Sequence, residues 1–303
     1  MFEFFANIFG YLLNIINNFV GNYGLAIILF TVIIKLLMLP LSMKQQKTMK
    51  KSAKLQKEMK VLQFKYKSDP EKLNREMMDL YKKENMSPFS GCLSAIVQFI
   101  LLISIFYMVK APLTYMKNMN DSQLDIYLQQ MKNDGMVVSQ AYPEIDIVRE
   151  IDYLREKLPE DENLKQINLN MNFFGLDLGK IPQQNLADWT VYIIPVLYII
   201  STFISMRITT SMQVNKKKED NIEENVIDIT EGSENSQNDD SKDIQKNEME
   251  DAMAQSNKMM SWMMPIMSIS ISLVAPLGLA LYWLVNNILM ICERLVLNKV
   301  VKD

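Results

Sequence analysis

Histidine is absent from the 303 residues. That removes zinc–histidine sites, Ser-His-Asp triads and Cys-His dyads together. Cysteine is nearly absent. Cys92 and Cys292 each lie inside or beside an apolar run, which predicts two buried free thiols rather than a disulfide. No Gly-rich phosphate loop and no internal repeat is visible. The first residues lack the basic opening and small-residue close of a signal peptide. These residues predict no enzyme, no cofactor and no metal site.

What is present is apolar and blocky. Hydrophobic residues make up 49% of the chain and charged ones 22%, with long greasy runs set between very polar ones. Such segregation predicts a multi-span membrane protein, not one water-soluble core. The 24 methionines make the apolar surface soft and suited to variable greasy partners.

The stretch from Tyr23 to Leu41 has spanning length and carries Lys35 inside it. An ammonium at the centre of a spanning helix costs about 2.5–3.5 kcal/mol on insertion scales. It is kept there by snorkelling to the interface or by facing a wet, protein-lined cavity.

Residues 1–22 read as an amphipathic helix lying in the interface, with Phe5, Phe9, Leu12, Leu13, Ile16 and Phe19 as its stripe and Gly21-Asn22 as its stop. The first span takes 23–43. A lysine-rich stretch, 44–87, follows with Leu55, Met59, Leu62 and Tyr66, then Leu73, Met77 and Leu80, at heptad-like spacing around a break at Ser68-Asp69-Pro70. This predicts a cytoplasmic antiparallel coiled-coil hairpin. Its basic face is either simply solvated or lipid-bound, or it docks a ribosome or another partner. The second span is 88–112, with polar Gln98 near its inner end. Residues 113–188 are mixed and acidic and lie outside, with a short helix over Asp146 to Leu158 and carboxylates on a solvated face. The third span is 189–210, kinked at Pro195; 211–257 form a disordered acidic loop. A hairpin of spans, 258–275 and 276–297, breaks at Ala275-Pro276-Leu277-Gly278, and a tail, 298–303, closes the chain. The basic clusters place the N-terminus out and the C-terminus in. The fold class is therefore an all-α membrane protein with five transmembrane helices.

Several of these motifs together resemble the YidC/Oxa/Alb membrane protein insertases. Gly24 to Leu41 is similar to their first common span, and Lys44 to Lys82, with the Lys-Tyr-Lys-Ser-Asp-Pro turn, to their cytoplasmic hairpin. Ser87-Pro88, Gly91-Cys92-Leu93 and Gln98 resemble the start of their second span. Met264-Pro265-Ile266-Met267 and Pro276 to Asn287 resemble their last hairpin. The large N-terminal domain of Gram-negative members and a lipobox cysteine are not seen, so the resemblance is to a Gram-positive-type member.

The resemblance implies five helices around a hydrophilic groove open to the cytoplasm and the lipid, with one positive charge inside. That position is often arginine; here it is Lys35, a point charge without the planar fork of donors. Thr31, Gln98, Tyr282, Trp283 and Asn287 are the implied polar neighbours. The implied function is insertion and folding of nascent membrane proteins in a bacterial plasma membrane, with or without the Sec translocon. The implied partners are those substrates, the lipid bilayer, the Sec translocon and the ribosome, with no nucleic-acid specificity. A small-solute transporter or channel is the alternative, although the sequence offers essentially one intramembrane charge for it. A purely structural assembly partner is a third reading.

Overall fold

The computed structural model of the chain describes the backbone of residues 2–66, 69–84, 90–208, 266–267 and 269–300. Side chains at 49, 50, 52–54, 56, 57, 60, 64, 90–95, 98 and 298–300 fall outside that description. The expected acidic loop, 211–257, and the first part of the expected fourth span lie outside the described residues. The chain divides into two compact units, Met1–Phe174 with Cys292–Asp303, and Gly175–Ile291.

In the first unit α1 (Phe2–Val20) stops where expected. Gly21 takes φ +72°, and its N–H donates to the Asn17 carbonyl at 2.7 Å, a turn that a Cβ would strain. The buried face keeps Phe9, Leu13 and Ile16 of the expected stripe, leaves Phe5 and Leu12 half-buried, and adds small residues and Asn17. Ala6, Phe9, Gly10, Leu13, Ile16 and Asn17 pack inward, while Phe19 is 92% exposed. Small residues decide this. Gly10 lies so close to α5 (Pro112–Lys117) that an added Cβ would meet the Tyr115 carbonyl. Ala6, one turn earlier, is also fully buried. A second apolar row, Phe4, Ile8, Tyr11, Ile15 and Phe19, is left exposed. The helix is thus apolar on two sides, and it packs on α2, α4 and α5.

Helix α2 (Tyr23–Lys65) has 43 residues and runs without interruption through Pro40. At 1.5 Å per residue it is about 65 Å long, twice the roughly 30 Å of bilayer hydrocarbon. Asn22 caps it by accepting from the Leu25 N–H at 3.1 Å. Helix α3 (Pro70–Lys83) folds back on it, capped by Asp69 accepting from the Lys72 N–H at 3.0 Å. Leu55 and Leu80 are buried, and the Tyr81 hydroxyl donates to the Met59 sulfur at 3.4 Å. The other heptad-like positions, Leu62, Tyr66, Leu73 and Met77, are half-buried. Helix α4 (Ser90–Lys110) is apolar all round, and Ser104, Ile105, Met108 and Val109 are buried near its end.

The segment after α4 is a helical layer with its own core. It comprises α5, α6 (Asp121–Asn133), α7 (Pro143–Arg149), α8 (Ile151–Lys157) and α9 (Glu162–Gln166). The single helix expected over Asp146 to Leu158 is two helices meeting at Glu150, whose N–H reaches the Asp146 carbonyl. Leu113, Met116, Tyr127, Met131, Ile145, Ile147, Leu154 and Leu164 fill the interior. Glu144 corrects the expectation of a solvated acidic face. It is buried, and it accepts from the Leu113 N–H at 2.7 Å, the Thr114 N–H at 2.9 Å and the Thr114 hydroxyl at 2.6 Å. A carboxylate from α7 thereby satisfies the open N–H groups at the start of α5. This layer is laced to the α1–α2 corner. The Asn17 amide donates to the Asn168 carbonyl at 2.9 Å, the Asn22 amide to Asn172 at 2.7 Å, and the Tyr23 N–H to Asn170 at 3.0 Å. Gly24 lies against the Phe173 ring so closely that a Cβ would overlap it.

The second unit begins at Gly175. Asp188 pairs with Lys180 at 2.7 Å and accepts from the Thr190 N–H and hydroxyl at 3.1 and 2.6 Å. The hydrogen bonds from Lys180 and Thr190 hold its carboxyl down at about 2. Helix α10 (Trp189–Ile208) starts there as a 3-10 turn over Trp189–Tyr192. Pro195 stands in the first α-helical turn after that 3-10 turn, a position where its missing N–H is tolerated. Residues 269–274 are helical, and α11 (Leu277–Val300) closes the chain. The Leu277 and Gly278 N–H groups donate to the Lys180 and Leu178 carbonyls, both at 2.9 Å.

Among the described residues, three helices are long and apolar enough to cross a membrane: Tyr23–Thr48, Trp189–Ile208 and Leu277–Leu297. They correspond to the expected first, third and fifth spans. Of the expected second span, Phe99–Lys110 is a shorter apolar helix.

Gly10→Ala is expected to force α1 off α5 and cost about 1–3 kcal/mol, read as a lower melting temperature of the detergent-solubilised protein. An unchanged melting temperature contradicts the close contact. Burial raises the Glu144 carboxyl above its ordinary 4.5, against the opposing hydrogen bonds from Thr114 and Leu113. A carboxyl raised on folding favours the native state most in acid, and that contribution declines as pH rises through the shifted value. Relative to Glu144→Gln, the wild-type protein is therefore expected to lose stability as pH climbs from 4.5 toward neutrality. Parallel melting curves across that range contradict this.

Candidate functional site

Around α2, side chains sort into two opposed faces. Leu25, Leu29, Leu36 and Leu37 are exposed, the last two at 64% and 62%. Thr31, Lys35, Ser42 and Gln46 recur at spacings that return to one side of a 3.6-residue helix. That side lies about 130° around the axis from the leucines, at 100° per residue. Burial falls along this polar row: Thr31 is buried, whereas Lys35, Ser42 and Gln46 are half-buried. Thr31 is satisfied within its own helix, its hydroxyl donating to the Ile27 carbonyl at 2.6 Å.

Lys35 lies about 18 Å along α2 from Tyr23. Its Nζ meets Glu293 Oε2 at 3.3 Å, and the two side chains are 22% and 14% exposed. Both belong to the first unit. The cation in the apolar helix therefore has a carboxylate partner, a charge that the expectation of essentially one intramembrane charge left out. Glu293 Oε1 and Gln46 Oε1 are buried and have no hydrogen-bond partner among the described residues.

Glu293 is the residue the sequence reading missed. Helical register holds the signal. Tyr282, Asn286 and Glu293 fall on one side of α11, within about 40° of each other, whereas Asn287 is turned away from them. A carboxylate that returns to the tyrosine–asparagine side of an apolar helix does not belong to the polar tail beyond it.

In the second unit Asn287 is buried. Its amide donates to the Ser201 hydroxyl at 2.9 Å and to the Thr202 hydroxyl at 3.2 Å. Those hydroxyls donate in turn to the Tyr198 carbonyl at 2.7 and 2.9 Å. Tyr282 and Trp283 are buried too, with the Trp283 ring 5.9 Å from that of Tyr198. Asn287 thus fastens α11 to α10. Gln98 lies on α4, and its side chain is outside the described residues. Cys292 is a free thiol and exposed, contrary to the expected burial; it faces outward from α11 beside Glu293.

An apolar helix with a paired charge and a polar row is the setting in which known families become informative. A family model described as the 60Kd inner membrane protein matches residues 15–303. The chain belongs to that family. Curated relatives of the chain include proteins named membrane protein insertase YidC from three Francisella tularensis subspecies: novicida (strain U112), tularensis (strain WY96-3418) and holarctica (strain FTNF002-00 / FTA). Each is 44% identical over 109 residues, which is 36% of this chain and 20% of the relative. The chain thus matches about a fifth of the length of these relatives. Family and apolar helices together make it a membrane-embedded protein.

Asn287→Ala removes both donors between α11 and α10. The expected cost is about 0.5–2 kcal/mol, the range of polar contacts between helices in membranes, read as a lower unfolding midpoint in detergent titration. A midpoint unchanged from wild type contradicts the fastening role.

Proposed function

We propose that this member of the 60Kd family is a membrane protein insertase and chaperone of the bacterial plasma membrane. The observation that carries the reading is a lysine held part-way along a spanning helix, on a polar row whose burial falls toward the C-terminal half of that helix. The printed name of the curated relatives, membrane protein insertase, supports it. In this reading five helices, with spans at 23–43, 88–112, 189–210, 258–275 and 276–297, enclose a hydrophilic groove. The N-terminus lies outside and the C-terminus inside. Residues 1–22 sit at the outer interface, 113–188 cover that side, and 44–87 extend into the cytoplasm as a coiled-coil hairpin. The leucines packed between α2 and α3, and a helix twice the bilayer thickness, favour that hairpin.

Lys35 attracts acidic residues in the short polar segment that precedes a substrate helix, and the helix then leaves sideways into lipid by burial of its apolar surface. Thr31, Gln98, Tyr282, Trp283 and Asn287 shape the groove wall. Short spans beside it thin the local bilayer and lower the crossing cost. The work needs no bond-making residue, nucleotide or metal. Substrates are nascent membrane proteins, delivered with or without the Sec translocon, and the basic hairpin is the docking surface for a ribosome or for anionic lipid.

The Lys35–Glu293 pair also suits a second reading, because paired intramembrane charges are a transporter feature. Solute flux in liposomes separates it from insertion. In the insertion assay, a single-span substrate with a short acidic tail is offered to proteoliposomes. Lys35→Gln is expected to lower insertion about ten-fold, equivalent to about 1.4 kcal/mol and within the range for a hydrogen bond to a charged group. Lys35→Arg is expected to retain it. Equal insertion by Lys35→Gln and wild type contradicts the mechanism.

A further inference from the structure

Glu293 approaches Lys35 with one oxygen, at 3.3 Å. That is longer than the roughly 2.7–2.9 Å of a well-formed charge-assisted bond. Its second oxygen is buried and has no partner among the described residues. The lysine ammonium carries three donors, and among the described residues one contact to an acceptor is formed. The pair is shielded enough for its attraction to count, and it is incompletely satisfied on both sides. A half-satisfied pair in a low-dielectric setting is open to exchange, because the incoming group restores contacts that the resident one leaves unmade. The two charges also cancel. While Glu293 stays, the attraction of Lys35 for another anion is weakened, and it rises when Glu293 withdraws.

We infer that Glu293 is a built-in counter-ion that a carboxylate of the incoming segment displaces from Lys35. The inference rests on the insertase reading and adds to it the basis of selectivity. The ligand class is a short polar segment bearing Asp or Glu. Segments without an acid leave the Lys35–Glu293 pair closed. Glu293 is a specificity-determining residue: it touches the cation, and its withdrawal is the condition for substrate contact.

Carbodiimide coupling of Lys35 to Glu293, read by mass spectrometry on the full chain in proteoliposomes, reports the closed pair directly. A stalled single-span substrate with an acidic tail is expected to lower the coupling about three-fold or more, as expected when the competing state takes over most of the population. The same substrate with each tail Asp changed to Asn is expected to leave it as it was. Coupling that is undiminished by the acidic tail, lowered equally by both tails, or absent without substrate overturns the proposal. As a second reading, Glu293→Gln is expected to raise the ratio of acidic-tailed to neutral-tailed insertion about three-fold; an unchanged or lower ratio overturns it. Failure is assignable. If Lys35→Gln inserts acidic tails as well as wild type, the insertase mechanism itself falls. If Lys35→Gln is defective while coupling ignores the substrate, the exchange alone falls.

Discussion

An ammonium inside an apolar helix must be given a counter-charge, water, or both, because hydrocarbon offers neither. Lys35 has the first in Glu293, and in the proposed groove the polar row running through Ser42 to Gln46 is the side of α2 that water would follow. The exposed leucines opposite keep the helix in lipid. In that reading one helix turns two faces to two solvents, and its register holds them apart. The length of α2 extends this arrangement: its apolar part fills the bilayer, and the same rigid rod continues beyond it as the long arm against which α3 folds.

Holding such a rod in place is the task of the layer that follows α4. Three asparagine-centred contacts tie residues 168–172 to the corner between α1 and α2. Gly10 and Gly24 let a backbone carbonyl and a phenylalanine ring come into direct contact with the helices. Glu144 joins two elements of the layer by capping α5 from α7. Small residues and satisfied polar groups thus fix the start of α2, and through the helix they fix the position of Lys35.

Much of this was legible in the residues. The hydrophobic blocks of the three long spans, the stop at Gly21, the break before Pro70 and the pairing of Leu55 with the Leu80 arm all follow from local pattern. Lys35 was legible because a charge in an apolar run stands out. Glu293 was not, because it lies near the end of its run beside Arg294 and reads as the start of a polar tail; only its register with Tyr282 and Asn286 turns it inward. The face of α1 was legible through Phe9, Leu13 and Ile16, but not through Ala6 and Gly10, which pack by being small where hydrophobic periodicity weighs large side chains. The layer over 113–174 was illegible for a related reason. Its helices are short, and its core forms from contacts between segments far apart in sequence, which periodicity does not carry.

The central claim is that the polar row of α2 is wet and the leucine face is not. Single cysteines at Ser42, Gln46, Leu36 and Leu37, in a background with Cys92 and Cys292 replaced, test it with a membrane-impermeant maleimide added from the cytoplasmic side. The account predicts labelling at the first two positions and none at the leucines, although those are the more exposed in the isolated protein. Labelling of the leucine positions alone, or protection of all four, would contradict it.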